Sequence, residues 1–195
     1  MGNSERTAGL RIESEADIAA VVAAVERSPA EPLRLAVLRA VRNGVITGEG
    51  PTTAGRIHFS RAIDAADTAL VRRILMAGGA QPVTRAEADA LFDLHEAACE
   101  RADGGAFDDL LAKAIAHHVL AASGHRVPER ARALSSAMAL AGWTRNEALD
   151  PSVAAWLERR LRRGGRHQAQ LAALAALLGP AGASRVPTLA IDLAA

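Results

Sequence analysis

Residues 64–92 read DAADTALVRRILMAGGAQPVTRAEADALF, and no other stretch restricts the fold of this chain as tightly. Asp64 with an acid three residues on, at Asp67, is a capping box, in which side chains satisfy backbone N–H groups at a helix start. Thr84 with Glu87 repeats the pattern. Between the two boxes, Leu70, Val71, Ile74 and Leu75 fall on one helical face, and Gly78-Gly79 supplies a left-handed stop. After the second box, Ala88, Leu91, Phe92, His95 and Cys99 recur at the same period. The pattern predicts a helix, a Gly joint, a short loop and a second helix.

The same joint returns as VRNGVIT at residues 41–47 and LRRGGRHQ at residues 161–168. A Gly at a helix end allows the reversal that lays the next helix back across its predecessor. The spacing is too irregular for a solenoid. The expectation is therefore an all-α fold, a compact bundle of about seven or eight helices built from degenerate helix–Gly loop–helix units. Composition agrees, because aromatic residues make up 3% of the chain, Tyr is absent and Ala is abundant, whereas strands favour β-branched and aromatic side chains.

Further signals place the remaining elements. Ser14 with Asp17 opens a helix to about Arg27, and Pro32 stands in the first turn of a second helix that is expected to end near Asn43-Gly44. A fifth helix after RADGGA presents Phe107, Leu110, Leu111, Ala114, Ile115 and His118, and is expected to form an antiparallel hairpin with the fourth. A short segment led by Pro128 follows Gly124. Asp150-Pro151 then starts a helix whose buried side is Val153, Trp156, Leu157 and Leu161, stopping at Gly164-Gly165, and a last helix carries Leu171, Leu174, Ala175 and Leu178. The expected organisation is an N-terminal helix pair over residues 1–43, a loop or linker over 44–59, and a main helical domain over 60–195 that either stands apart from the pair or forms one domain with it.

Charge is balanced, with 23 Lys+Arg against 22 Asp+Glu, which leaves no global field to draw the chain to nucleic acid or an anionic membrane. No stretch is long and apolar enough for a membrane span, since Gly179-Pro180 and Gly182 interrupt the uncharged run after His167. The opening MGNSERTAGL lacks the apolar run of a secretory signal, and Cys99 has no second Cys to pair with in the chain. The expected location is the cytoplasm, and the expected partner is another protein or a second copy of the chain.

Three stretches, VRRILMAGGAQPVTRAEADALFDLHEA, FDDLLAKAIAHHVLAASG and HRVPERARAL, resemble a family of bacterial all-helical proteins with a distant likeness to the tellurite-resistance TerB-like domains. The resemblance covers residues 71–130, with weaker similarity through WLERRLRRGG. In such families the loop before the T-R-x-E-A segment usually carries an acidic residue beside Gly. Here that position reads Gly78-Gly79-Ala80-Gln81-Pro82, and the aromatic expected before the fifth helix is Phe107. The resemblance implies a helical fold. Through the acidic metal sites and stress-response assemblies associated with TerB-like domains, it also implies a divalent-metal-binding alternative, for which Asp64, Asp67, Glu87 and Asp89 would have to converge.

Other chemistry has to come from side chains off the loops. His95, Cys99 and His118, with His117 beside them, are imidazole and thiolate donors of the kind that share a transition metal. A hairpin turning near Asp103-Gly104 sets His95 opposite about Ala112 or Lys113 and displaces His118 by roughly 7–8 Å of helix rise, so interface histidines are the simpler reading. Arg159, Arg160, Arg162, Arg163 and Arg166 could hold phosphate, but lie without an aromatic platform or Gly-rich cradle and suit a solvated helix end. Glu96 and Glu100 sit four apart on an outer flank, and Cys99 on an apolar face reads as a small core residue. The chain has no G-x-S-x-G, P-loop, H-E-x-x-H or dinucleotide fingerprint. No catalytic residue and no cofactor is predicted, and the functional expectation is a non-enzymatic interaction or regulatory module. Far-UV circular dichroism is expected to show helix well above one third of the chain with no sheet signature; a clear β spectrum would overturn the fold expectation.

Overall fold

The Asp64 cap forms as the sequence predicts. In the computed structural model, which describes residues 15–27, 30–47, 62–98, 105–135 and 149–163, Asp64 Oδ1 accepts from the Asp67 N–H at 2.9 Å, and Asp67 Oδ2 accepts from the Asp64 N–H at 3.2 Å. Seven helices are present among the described residues, with no strand. They are α1 (Glu15–Arg27), α2 (Glu31–Thr47), α3 (Ala65–Met76), α4 (Arg85–Ala97), α5 (Ala106–Ala122), α6 (Arg130–Ser135) and α7 (Pro151–Arg163). None is long and apolar enough to cross a membrane. The Ser14 cap, most of the 44–59 loop, Cys99, Glu100, Arg166 and the expected last helix lie outside the described residues.

The chain divides into two compact units, residues 1–79 with 85–107, and residues 80–84 with 108–195. In the first unit α2 packs most broadly on α4 and also meets α3 and α1. Its buried stripe is Arg34, Val37, Leu38 and Val41, the spacing of one helical face. Val22 and Val25 come from α1, Val71, Ile74 and Leu75 from α3, and Ala88, Leu91, Phe92 and Leu94 from α4. Arg73 on α3 also donates to Glu26 on α1 at 2.6 Å. That hydrogen bond and the carboxylate's charge raise the affinity of the guanidinium for its proton, but both groups are exposed and the pair contributes little.

Two expectations on helix ends are settled by backbone conformation. α3 stops before Gly79, whose φ of 62° is the left-handed value that glycine adopts without strain. α2, however, continues through Gly44 to Thr47. Gly44 does not take a positive φ, and a right-handed Gly costs a helix only about 1 kcal/mol relative to Ala, too little to end one by itself.

In the second unit α5 departs from the predicted single stripe. Every residue from Leu110 to Leu120 is buried, the faces beside the predicted stripe included. Lys113, the single charged side chain in that run, reaches out to Asp109 at 2.6 Å while its stem stays covered. The helix ends in a Schellman turn, with Gly124 at φ 83° and the His125 N–H returning to the Leu120 carbonyl at 3.0 Å. Val127 then packs on Ala116, Leu120 and Ala133. α7 starts as predicted, because Asp150 Oδ1 accepts from the Ser152 hydroxyl at 2.5 Å and from the N–H groups of Ser152 and Val153 at 2.8 and 3.3 Å. These donors, the hydroxyl first, hold the Asp150 carboxyl below the usual aspartate range. A depressed carboxylate stabilises the fold above the ordinary range near 3.9 and loses that effect as pH falls through the lowered value, so the cap is intact at neutral pH. Val153, Trp156, Leu157 and Leu161 are buried, as the period predicts.

The five residues expected at the centre of the α4/α5 hairpin are all buried: Leu91, Phe92 and Phe107 in the first unit, Leu111 and Ile115 in the second. Phe92→Ala is expected to cost about 3–5 kcal/mol by opening a cavity in the first unit. Chemical denaturation measures it, and a loss below about 1 kcal/mol, the range of a surface change, would overturn the assignment.

Candidate functional site

The segment between α3 and α4 belongs to no helix or strand, so its backbone groups need partners from elsewhere. Gln81 and Pro82 lie at the surface while Val83 is buried. Arg130, the first residue of α6, supplies two donors: its Nε bonds the Gln81 carbonyl at 2.8 Å, and its Nη2 bonds the Pro82 carbonyl. Its side chain is 0% exposed, and the planar fork of a guanidinium suits two acceptors on consecutive residues.

Val83 is held on both sides by adjacent histidines of α5. Its N–H donates to His117 Nδ1 at 3.2 Å, and its carbonyl accepts from His118 Nδ1 at 2.9 Å. Neighbours on a helix point about 100° apart, so both rings can be used only because α5 is covered on all sides. His117 Nε2 donates in turn to the Pro128 carbonyl at 2.9 Å, and His118 meets Trp156 edge-on with centroids 5.2 Å apart. Three side chains thus bind four backbone groups of residues 81–83, forming a clasp whose acceptors face a guanidinium and an imidazole N–H.

Chemistry follows from which atoms must carry hydrogen. A backbone N–H only donates, so His117 Nδ1 is bare; a carbonyl only accepts, so His117 Nε2 and His118 Nδ1 carry protons. Adjacent histidines therefore hold opposite tautomers. His117 is fully buried and both its ring nitrogens are committed, which suits a structural group rather than a general base.

The remaining candidate residues have local partners. His95 stacks on Phe107 with centroids 6.4 Å apart and an interplanar angle of 13°. α4 ends at Ala97 and α5 begins at Ala106, so Phe107, the partner of His95, lies in the first turn of α5. His95 belongs to the first unit and His118 to the second. Asp64 and Asp67 cap each other's backbone, and Asp89 pairs with Arg85 one turn away at 3.2 Å. Glu87 is 0% exposed and accepts from Arg34 Nε at 2.5 Å, with Arg34 itself 4% exposed. Among the described residues no group of three or more His, Cys, Asp or Glu side chains is placed to hold a metal ion. Glu96 and Arg159 are exposed.

Sequence reasoning did not single out Arg130, and it considered His117 only as one donor of a possible metal site with His95, Cys99 and His118. One signal was present: the run Leu110–Leu120 has a single charge over three turns, which points to a helix buried all round, and that forces internal partners on both histidines. Nothing local marked Arg130 among the arginines of HRVPERARAL. The chain matches no family model, no curated protein and no solved structure.

Nitrogen–proton correlation NMR of the imidazoles above neutral pH is expected to report the Nε2–H tautomer for His117 and the Nδ1–H tautomer for His118. The reverse pair, or averaging between tautomers at His117, would overturn the clasp.

Proposed function

We propose that this chain is a non-enzymatic helical interaction or regulatory module, related in architecture to the TerB-like domains but built to work without an ion in its α3–α4 loop. The observation that carries this reading is Arg130. The carbonyls of Gln81 and Pro82 are the groups an ion in that loop would need, and they accept from a guanidinium. Calcium seeks six to eight oxygens and magnesium a near-ideal octahedron, usually with carboxylates, and the acids of the metal-binding alternative, Asp64, Asp67, Glu87 and Asp89, are engaged in caps and ion pairs. Among the described residues the buried histidines are likewise engaged in packing and backbone hydrogen bonds, which favours the outer surface as the carrier of function. A protein partner or a second copy suits that surface better than nucleic acid, given the near-zero net charge of +1. The single Cys and the family likeness support a bacterial cytoplasmic setting.

Thermal melts in chelator and in millimolar Ca²⁺ or Mg²⁺ test the reading, and superimposable curves are expected. An ion at 100 times its dissociation constant would add about 2.7 kcal/mol and raise the melting temperature by roughly 5–10 °C for a chain of this size. A rise of that order, lost in Asp64→Asn or Glu87→Gln, would favour the divalent-metal-binding stress-response alternative. Light scattering and cross-linking in the native host complete the test. A defined self-assembly or a stoichiometric protein partner supports the module, and a monomer that cross-links to nothing counts against it.

A further inference from the structure

The clasp contains one group whose function depends on being neutral. We infer that His117 is an acid-sensitive latch, holding residues 80–84 to α5 above the ordinary imidazole range and releasing them below it. This stands on the clasp geometry and does not depend on the reading as an interaction module.

His117 has one place for a second proton, because Nε2 already donates to Pro128. That place is Nδ1, where the Val83 N–H lies 3.2 Å away. Protonation there sets two donors against each other, breaks the hydrogen bond and strands a buried N–H. The new charge also arises on a side chain that is 0% exposed, where desolvation opposes it. From α6 the surroundings bring the Arg130 cation, and from α5 itself Lys113, one turn before, and His118, the next residue. Segment 80–84 brings no charged side chain, while segment 125–129 brings half-buried His125 and exposed Arg126 and Glu129. His118 differs from its neighbour, since the Nδ1–H that it gives the Val83 carbonyl is kept whether the ring is neutral or charged.

The sign follows from linkage. The clasped form needs His117 neutral, whereas the released form takes up a proton in the ordinary range near 6.5. The clasp is therefore at full strength above that range. Below it, one extra proton on the released form shifts the balance toward release by about tenfold per pH unit. Because Arg130 grips the two residues just before Val83, the whole segment shares the change.

Hydrogen exchange of the full chain between pH 5 and 7.5, corrected for intrinsic rates, tests the latch. The Val83 amide is expected to lose protection by about tenfold per unit below pH 6.5, while the Ile115 amide inside α5 keeps its protection. His117→Gln offers an acceptor to Val83 and a donor to Pro128 without titrating, and is expected to flatten the pH dependence; His118→Gln is expected to leave the slope in place. A Val83 amide indifferent to pH, an unchanged slope in His117→Gln, or loss at Ile115 in step with Val83 would each overturn the latch. Should His117→Gln not fold, NMR titration of the unmodified protein decides. The His117 ring and the Val83 amide must change with one midpoint, and a ring that titrates while the amide stays unmoved overturns the inference.

Discussion

A guanidinium taken wholly out of water must place its N–H groups on acceptors, and this need organises the second unit. Arg130 is fully buried; segment 80–84, which contains a proline without an N–H and belongs to no helix, has carbonyls that require donors. Each supplies what the other lacks. Removing the arginine would leave two carbonyls without these donors, and because Gln81 and Pro82 lie at the surface the cost falls below the roughly 1–3 kcal/mol of a fully buried unsatisfied group. The position of α6 and the path of the segment are thus one feature, with α5 presenting two rings to the same backbone.

The first unit meets a related constraint with a different acceptor. Arg34 on α2 and Glu87 on α4 are both buried, and their hydrogen bond spans the broadest helix packing of that unit. Taking two charges out of water offsets most of their attraction, so such a pair adds little net stability over an apolar one; losing one partner is costly because the other charge stays behind. The pair therefore acts chiefly on register, since α2 sliding on α4 would separate Arg34 from Glu87. Neutral carbonyls serve Arg130 and a carboxylate serves Arg34, a difference that follows from the elements around them. Regular helices have already used their own carbonyls, while an irregular segment has carbonyls to offer.

Local chemistry was legible in the sequence and distant chemistry was not. The box at Asp64 and Asp67, the Asp150-Pro151 start and the stop before Gly79 depend on residues within a few positions of each other, and the structure has all three. The apolar face of α7 was legible for the same reason. Gly44 misled because glycine permits a helix end without requiring one. For Glu87 the neighbour Thr84 suggested a capping acid, whereas nothing near it in the chain announced its buried ion pair with Arg34, 53 residues away. Arg130 reaches Gln81 across 49 residues and His117 reaches Val83 across 34. No periodicity encodes such pairings, because they exist only once the helices that carry them are in place.

The lack of acids in the α3–α4 loop then has a physical meaning. A loop filled by a dissolved cation responds to the concentration of that cation, and needs carboxylates to compete with water for it. Here the carbonyls of Gln81 and Pro82 accept from an arginine of the same chain, so a cation is supplied at a fixed place by folding. What can still vary in such a clasp is the proton count of its neighbours. Of the three side chains involved, Arg130 offers only donors and His118 donates in either charge state. His117 alone has to stay neutral to accept from Val83, so within the clasp the inferred response to pH rests on that one ring.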